Sequence, residues 1–278
     1  MFSAAQTWRG VQQSLATPSV AIDCRGCGRS ELGDPNNFSP DALVEDVKSL
    51  VRSHPLLCEK PFVLVGHSMG GRIAMCYAAK YPNDVSSLVI EDMDIRRRGV
   101  KSNFMHFDEE RAIAFSRGHE TLDSVTKELE SIGYPSDMYT KWINEGRIHE
   151  DKSDGSKYKF WSDVNPAFRA LCYRTIFDSS SGTDSWRAIA RNLHQKMNSG
   201  NEVNSAKVVH LMVAGIGTVC DEQDVEKMRQ IMSCVQERKY SPLSIKTYAQ
   251  GTHSIHNSAR EEFMTDLSQI INDTKVVT

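Results

Sequence analysis

A serine stands between two glycines in GHSMG (66–70), at the end of the apolar run FVLVG (62–66). Hydroxyls are poor nucleophiles at neutral pH. A serine that attacks a carbonyl therefore needs a neighbouring base, a group that orients the base, and N–H donors for the oxyanion. The pattern G-x-S-x-G supplies the geometry: a sharp strand-to-helix turn exposes the serine, and glycines flank it because side chains would collide there. A chain of this length would contain such a pentapeptide by chance with a probability of only ~0.1. Ser68 is the candidate nucleophile, and the main-chain N–H of Met69 is the candidate oxyanion donor.

Where this turn is catalytic, the partners follow along the chain as an acid and then a histidine. The segment QGTHSIHN (250–257) comes just after the strand-like LSIKTYA (243–249), so a loop residue there could reach Ser68. His253 is the candidate base, and His256 is the alternative, with helix-start packing as its other reading. His67 reads as a structural hydrogen-bonder and His210, inside a strand pattern, as a satisfied core residue. For the acid, Asp92 ends SLVIED (87–92) and Asp94 follows two residues on. A second region, AGIGTVCDEQD (214–224), holds Asp221, Glu222 and Asp224. The residues directly after its strand, Gly215 to Thr218, include no acid, which shifts the weight to Asp92. Asp221, Glu222 and Asp224 also read as the first turn of a helix, where acids complement the dipole.

Stepping along the chain, SVAIDC (19–24) reads as a strand that enters a glycine turn. Leu43, Val44, Val47, Leu50 and Val51 recur at helical spacing. FVLVG is a continuous apolar run of the kind buried on both faces. Gly70, Gly71, Ala74, Ala78 and Ala79 give a small-residue helix that Pro82 stops. Strands at 87–92, 206–215 and 243–249 alternate with helices at 224–232 and 261–271. This alternation predicts an α/β class with a mostly parallel sheet flanked by helices. Residues 96–204 are polar and charged, without a strong buried strand, and read as a helical cap inserted into the core. The predicted division is residues 1–95 (core, with nucleophile and acid), 96–204 (cap) and 205–278 (core, with the histidine). Trp142, Trp161 and Trp186 fall in the cap, where they either line an acyl pocket or pack the cap on itself. Arg96, Arg97 and Arg98 either meet an anionic group or form a solvated loop.

Composition narrows the classes. The 278 residues are 40% hydrophobic and 25% charged, as in an ordinary globular protein. A net charge of −3 argues against a nucleic-acid partner. No apolar run approaches the roughly 20 residues of a membrane span. Seven cysteines, an odd number, fit reduced thiols better than a disulfide framework. The opening MFSAAQTWRG has no signal-peptide pattern, so the expected location is intracellular, in cytoplasm or mitochondrion. The chemistry sketched above requires no metal and no organic cofactor. Nothing in the sequence speaks to oligomeric state.

From SVAIDCRGCGRS through GHSMGGRIAM to GTHSIHN, nearly the whole chain resembles the α/β-hydrolase family. VIED, DGSKYKFWSDVNPAF and GTHSIHN resemble its small acyl-ester and thioester hydrolases of bacteria and mitochondria. That resemblance implies an acid at Asp92, 24 residues after Ser68, and an auxiliary hydroxyl at Thr218. It also implies a serine hydrolase acting on small acyl esters or thioesters through an acyl-enzyme. Carbon–carbon bond hydrolases, cofactor-free haloperoxidases and a non-catalytic remnant are the rivals. Dehalogenases and epoxide hydrolases carry an aspartate at the elbow, against Ser68. The chain departs from the family at its start, because AAQTWRGVQQSLA resembles the first helix and Met1 falls at or after the family's HG loop. The N-terminal strands and the second oxyanion donor are then expected to be missing, and a truncated start is expected. The ladder between SVAIDC and FVLVG would be lost with them.

Overall fold

The computed structural model describes residues 4–98, 106–152, 155–198, 209–233 and 242–275. In chain order, its first part forms α1 (Arg9–Ser14), α2 (Pro40–Ser53), β1 (Phe62–His67), α3 (Met69–Lys80) and β2 (Val85–Glu91). The middle forms α4 (Glu109–Ala114), β3 (Gly118–His119), α5 (Leu122–Ile132), α6 (Ser136–Asn144), β4 (Ile148–Glu150), β5 (Phe160–Ser162) and α7 (Pro166–Leu171). The last part forms α8 (Ser181–Asn198), β6 (Val209–Ala214), α9 (Glu222–Ser233), β7 (Leu243–Tyr248), α10 (Ile255–Ser258) and α11 (Arg260–Lys275). Two compact units result: Met1–Arg9, Ala21–Ser39 and Arg98–Asp178 in one, and Gly10–Val20, Pro40–Arg97 and Ser179–Thr278 in the other.

The second unit holds a parallel sheet in the order β1-β2-β6-β7. Its central strands β2 and β6 carry the apolar stretches LVI (88–90) and LMVA (211–214), as expected of strands covered by helices on their faces. Leu88, Val89, Ile90, Leu211 and Met212 are all essentially buried, each contributing about 1.5–3 kcal/mol through the apolar area removed from water. Helix α2 turns Leu43, Val44, Val47 and Val51 inward, the helical spacing visible in the sequence. Helix α3 packs on β1, β2 and α8. Its Gly71 lies against the side chains of Ile90 and Met93, leaving little room for a Cβ. Among the described residues no helix is long and apolar enough to cross a membrane.

SVAIDC is a correction. It forms no strand, and β1 is the edge of the described sheet. A strand exists only where a neighbour accepts from its N–H groups and donates to its C=O groups, and no described strand pairs with SVAIDC.

The first unit also differs from a purely helical cap. Strands β3, β5 and β4 form a small antiparallel sheet of two- and three-residue strands, too short to give a periodic signal. Arg117 ties it together: its Nε donates to the Ser162 carbonyl at 2.8 Å, and its guanidinium lies over the Trp161 ring. Helix α5 is bounded locally, by a capping box between Thr121 and Ser124 and by Gly133 at φ 106°. Trp142 packs edge-on to Tyr134 in this unit's core. SSSGTDS (179–185) leads into α8, which packs on α3 and α9 in the second unit. Trp186 on α8 is fully buried there and donates its indole N–H to the Met228 carbonyl, so it joins two helices of the second unit.

Candidate active site

Ser68 lies between β1 and α3 at φ 53°, a conformation that only Ser68 and Asp92 share among the described non-glycine residues. Backbone held there costs of order 1–3 kcal/mol and persists only when the surroundings over-determine it. At the elbow the surroundings do so. The Ser68 N–H donates to the Glu91 carbonyl at 3.0 Å, and α3 starts at the next residue. A Cβ at Gly66 would collide with the main chain of Gly70. At Gly70 itself no such collision exists, so the crowding expected on both sides of the serine is found on one.

The Asp92 carboxylate, fully buried at the end of β2, collects four donors. Oδ1 accepts from the Ala214 N–H at 3.1 Å and the Thr218 hydroxyl at 2.5 Å. Oδ2 accepts from the Val219 N–H at 3.1 Å and His253 Nδ1 at 2.7 Å. Burial pushes the carboxyl's pKa up, but the hydrogen bonds from His253, Thr218, Ala214 and Val219 outweigh it and hold the group below its ordinary value. With Nδ1–H spent on Asp92, His253 presents Nε2 as an acceptor, and the Ser68 hydroxyl is 3.0 Å away. The structure therefore brings Ser68, His253, Asp92 and Thr218 together from four separate loops. Met69 is the first residue of α3, so its N–H has no intrahelical acceptor and lies one residue beyond the serine.

The alternatives go elsewhere. His256 is buried at the start of α10, and its main-chain N–H and Nδ1 both bond to Glu91, at 2.9 and 2.8 Å. Asp94 is fully buried and bonds Arg72 and Arg96. Asp221 accepts from the Asp224 N–H at 3.0 Å at the start of α9 and pairs with Arg96. The same arginine reaches Asp224 at 2.9 Å, which makes Arg96 an ion-pair partner within the second unit. Burial, with Asp94 adding to it and Arg96 opposing, pushes the Asp224 carboxyl up to about 6.

Sequence reasoning passes over Glu91. It precedes Asp92 in VIED, and an acid closing a buried strand is the one available signal. His67, Glu91 and His256 are the described side chains that approach closely enough to share a metal ion. Hydrogen bonds within the protein already use several of these atoms: Glu91 accepts from His256, and His67 Nε2 donates to the His253 carbonyl at 2.7 Å. Cys24 and Cys27 stand at C-x-x-C spacing, with the Cys27 N–H donating to the Cys24 carbonyl at 2.8 Å. Burial raises the Cys27 thiol far above its usual range, which disfavours the thiolate that metal binding requires.

Comparison with known proteins bears on the fold that carries these residues. Residues 4–122 match a family model described as the α/β hydrolase fold. A monoacylglycerol lipase of Mycolicibacterium smegmatis is 40% identical over 79 residues, 25% of this chain and 25% of that protein. A human monoacylglycerol lipase is 48% identical over 71 residues, 26% of this chain and 21% of that protein. The chain thus matches a quarter or less of each lipase's length. An N-formylmaleamate deformylase of Pseudomonas putida is 24% identical over 241 residues, 84% of this chain and 75% of that enzyme. Among solved structures, an esterase from a marine microorganism has a TM-score of 0.64 at 16% identity, covering 97% of this chain and 92% of its own. A thioesterase domain from the curacin biosynthetic pathway has a TM-score of 0.62 at 14% identity, covering 96% and 88%. At such identities the structural likeness speaks for the fold.

Proposed function

We propose that this chain, a member of the α/β-hydrolase superfamily that resembles esterases, cleaves carboxylic esters or thioesters through an acyl-enzyme on Ser68. The observation that carries the reading is the continuous hydrogen-bonded line from Asp92 through His253 to Ser68. As the Ser68 oxygen forms its bond to the acyl carbon, His253 Nε2 takes the hydroxyl proton, and Asp92 stabilises the imidazolium. The Met69 N–H receives the developing oxyanion. Collapse of this intermediate breaks the bond to the leaving alcohol or thiol, which departs with the proton from His253. Water then attacks the acyl-enzyme, His253 accepts its proton, and the acid is released as Ser68 regains its hydrogen. Thr218 holds Asp92 in place throughout, by its 2.5 Å hydrogen bond.

A second reading is favoured by the length of the match to the deformylase, which hydrolyses an N-formyl group by name. The same steps serve an N-acyl bond, with an amine leaving in place of an alcohol. Substrate screening separates the two.

The test is covalent labelling of the purified chain by a fluorophosphonate probe, with Ser68→Ala as control. Labelling that disappears in the variant is expected. A folded protein that takes no label, or labels equally without Ser68, overturns the serine-hydrolase reading and favours a non-catalytic member of the fold.

A further inference from the structure

We propose that His67, Glu91 and His256 form a positioning set for the catalytic base, with Glu91 as its hub. They hold the main chain around His253 so that its imidazole stays in line between Asp92 and Ser68. This inference rests on the serine-hydrolase reading of that line.

The geometry begins in the ladder, where His67 of β1 stands opposite Glu91 of β2. Each residue is followed by a member of the site, Ser68 in one strand and Asp92 in the other. Glu91 uses both ends. Its main-chain carbonyl accepts the Ser68 N–H at 3.0 Å. Its fully buried carboxylate accepts the His256 N–H at 2.9 Å and His256 Nδ1 at 2.8 and 2.9 Å. One side chain on a rigid strand thereby fixes the first turn of α10 through His256, three residues beyond His253. His67 grips the other side of the loop, donating from Nε2 to the His253 carbonyl at 2.7 Å. The His67 ring lies 4.7 Å from that of His253 and 5.2 Å from that of His256.

His253 needs such support because it sits in the loop between β7 and α10, outside any ladder, with its side chain 34% exposed. Displacement of a reacting group by about 1 Å can cost on the order of 10²-fold in rate. His67 is partly buried and Glu91 fully buried, both lie on strands of the sheet, and each bonds main chain on one side of the base. Burial pulls the His67 imidazole down to about 4, Glu91 opposing, so at neutral pH the ring is uncharged beside the base.

The test compares the unaltered protein with His67→Leu, His67→Gln and Glu91→Gln, each checked for folding by circular dichroism. Two readouts are taken: the second-order rate of fluorophosphonate labelling at Ser68, and the downfield NMR resonance of the His253 Nδ1 proton shared with Asp92. His67→Leu should slow labelling about 10²-fold and shift or broaden the resonance, with kcat on a short acyl ester falling while KM holds. His67→Gln, whose terminal amide N–H reaches toward the same carbonyl, should restore most of both. Glu91→Gln keeps the strand-to-strand bond and an acceptor for His256, so its effect should fall between the two. If His67→Leu does not fold, His67→Asn, too short to reach the carbonyl, takes its place. A folded His67→Leu that labels at the unaltered rate with an unchanged resonance overturns the proposal. Should the unaltered protein not label at all, the serine-hydrolase reading fails, and the positioning role is judged on the resonance alone. Loss in the Leu variant with recovery in Gln supports it, and no change in either overturns it.

Discussion

At the end of β2 two consecutive acids each hold an imidazole, and the two pairs have opposite surroundings. Asp92 bonds His253, whose side chain is 34% exposed, whereas Glu91 bonds His256, whose side chain is 1% exposed. His253 turns its remaining nitrogen to the Ser68 hydroxyl, while His256 turns its own to the Asn257 amide at 3.1 Å. The pairing chemistry is shared, and the third partner together with access to solvent separates the roles. A base must exchange its proton with substrate and water, so its outer nitrogen has to be reachable. A pair that holds main chain in place is better sealed, because a buried hydrogen bond is stronger and its loss costs more.

The largest break in this comparison should come from Ser68→Ala and His253→Ala. Each is expected to lower kcat on a short acyl ester by about 10⁶-fold, as for groups that act as a unit, with the circular dichroism spectrum unchanged. Asp92→Asn should follow at roughly 10⁴-fold, since the amide cannot hold the imidazole in the working tautomer. Asp221→Asn, altering an exposed ion pair with Arg96, should leave kcat where it was, and equal losses in the two variants would reassign the acid.

On stability the order of the two histidines should reverse. His256→Phe leaves the Glu91 carboxylate buried with its side-chain donor gone, a loss of about 3 kcal/mol or more read from the urea midpoint. His253→Phe removes a half-exposed ring and should change the midpoint far less. The smallest effect concerns a buried acid outside either pair. Asp224, raised to about 6, binds its proton more tightly folded than unfolded. Between the ordinary carboxylate range and pH 6 the folded state then holds more protons, so this group lowers stability as pH rises through that window. Asp224→Asn should flatten the slope, visible as melting temperatures that change less between pH 4 and about 6 than in the unaltered protein.

Much of this was legible beforehand where neighbours in sequence are neighbours in space. The elbow is five consecutive residues, and α2 and α3 are set by apolar or small residues at helical spacing. SVAIDC shows the limit of such reading. Its apolar pattern permits a strand, but pairing needs a partner that pattern cannot supply. Strands of two or three residues, such as β3, lie below the length at which a period can be seen. Trp186 looked like a cap residue because helix α8 is continuous with the polar stretch before it. Only packing on α9 assigns it to the second unit.

By itself the sequence determined an α/β chain with a serine at a strand-to-helix turn, because local spacing dictates local backbone. It narrowed the acid and the base to a few residues each. The choice among them belonged to tertiary structure. His253 reaches Asp92 across 161 residues of sequence and Ser68 across 185, and His256 reaches Glu91 across 165. Loop position favours His253 within GTHSIHN and strand-end position favours Asp92 within VIED, but neither local signal decides the pairing. Which of each pair meets the serine and which is sealed beneath it depends on the direction each side chain takes from the ends of β2 and β7, and only the folded sheet sets that direction.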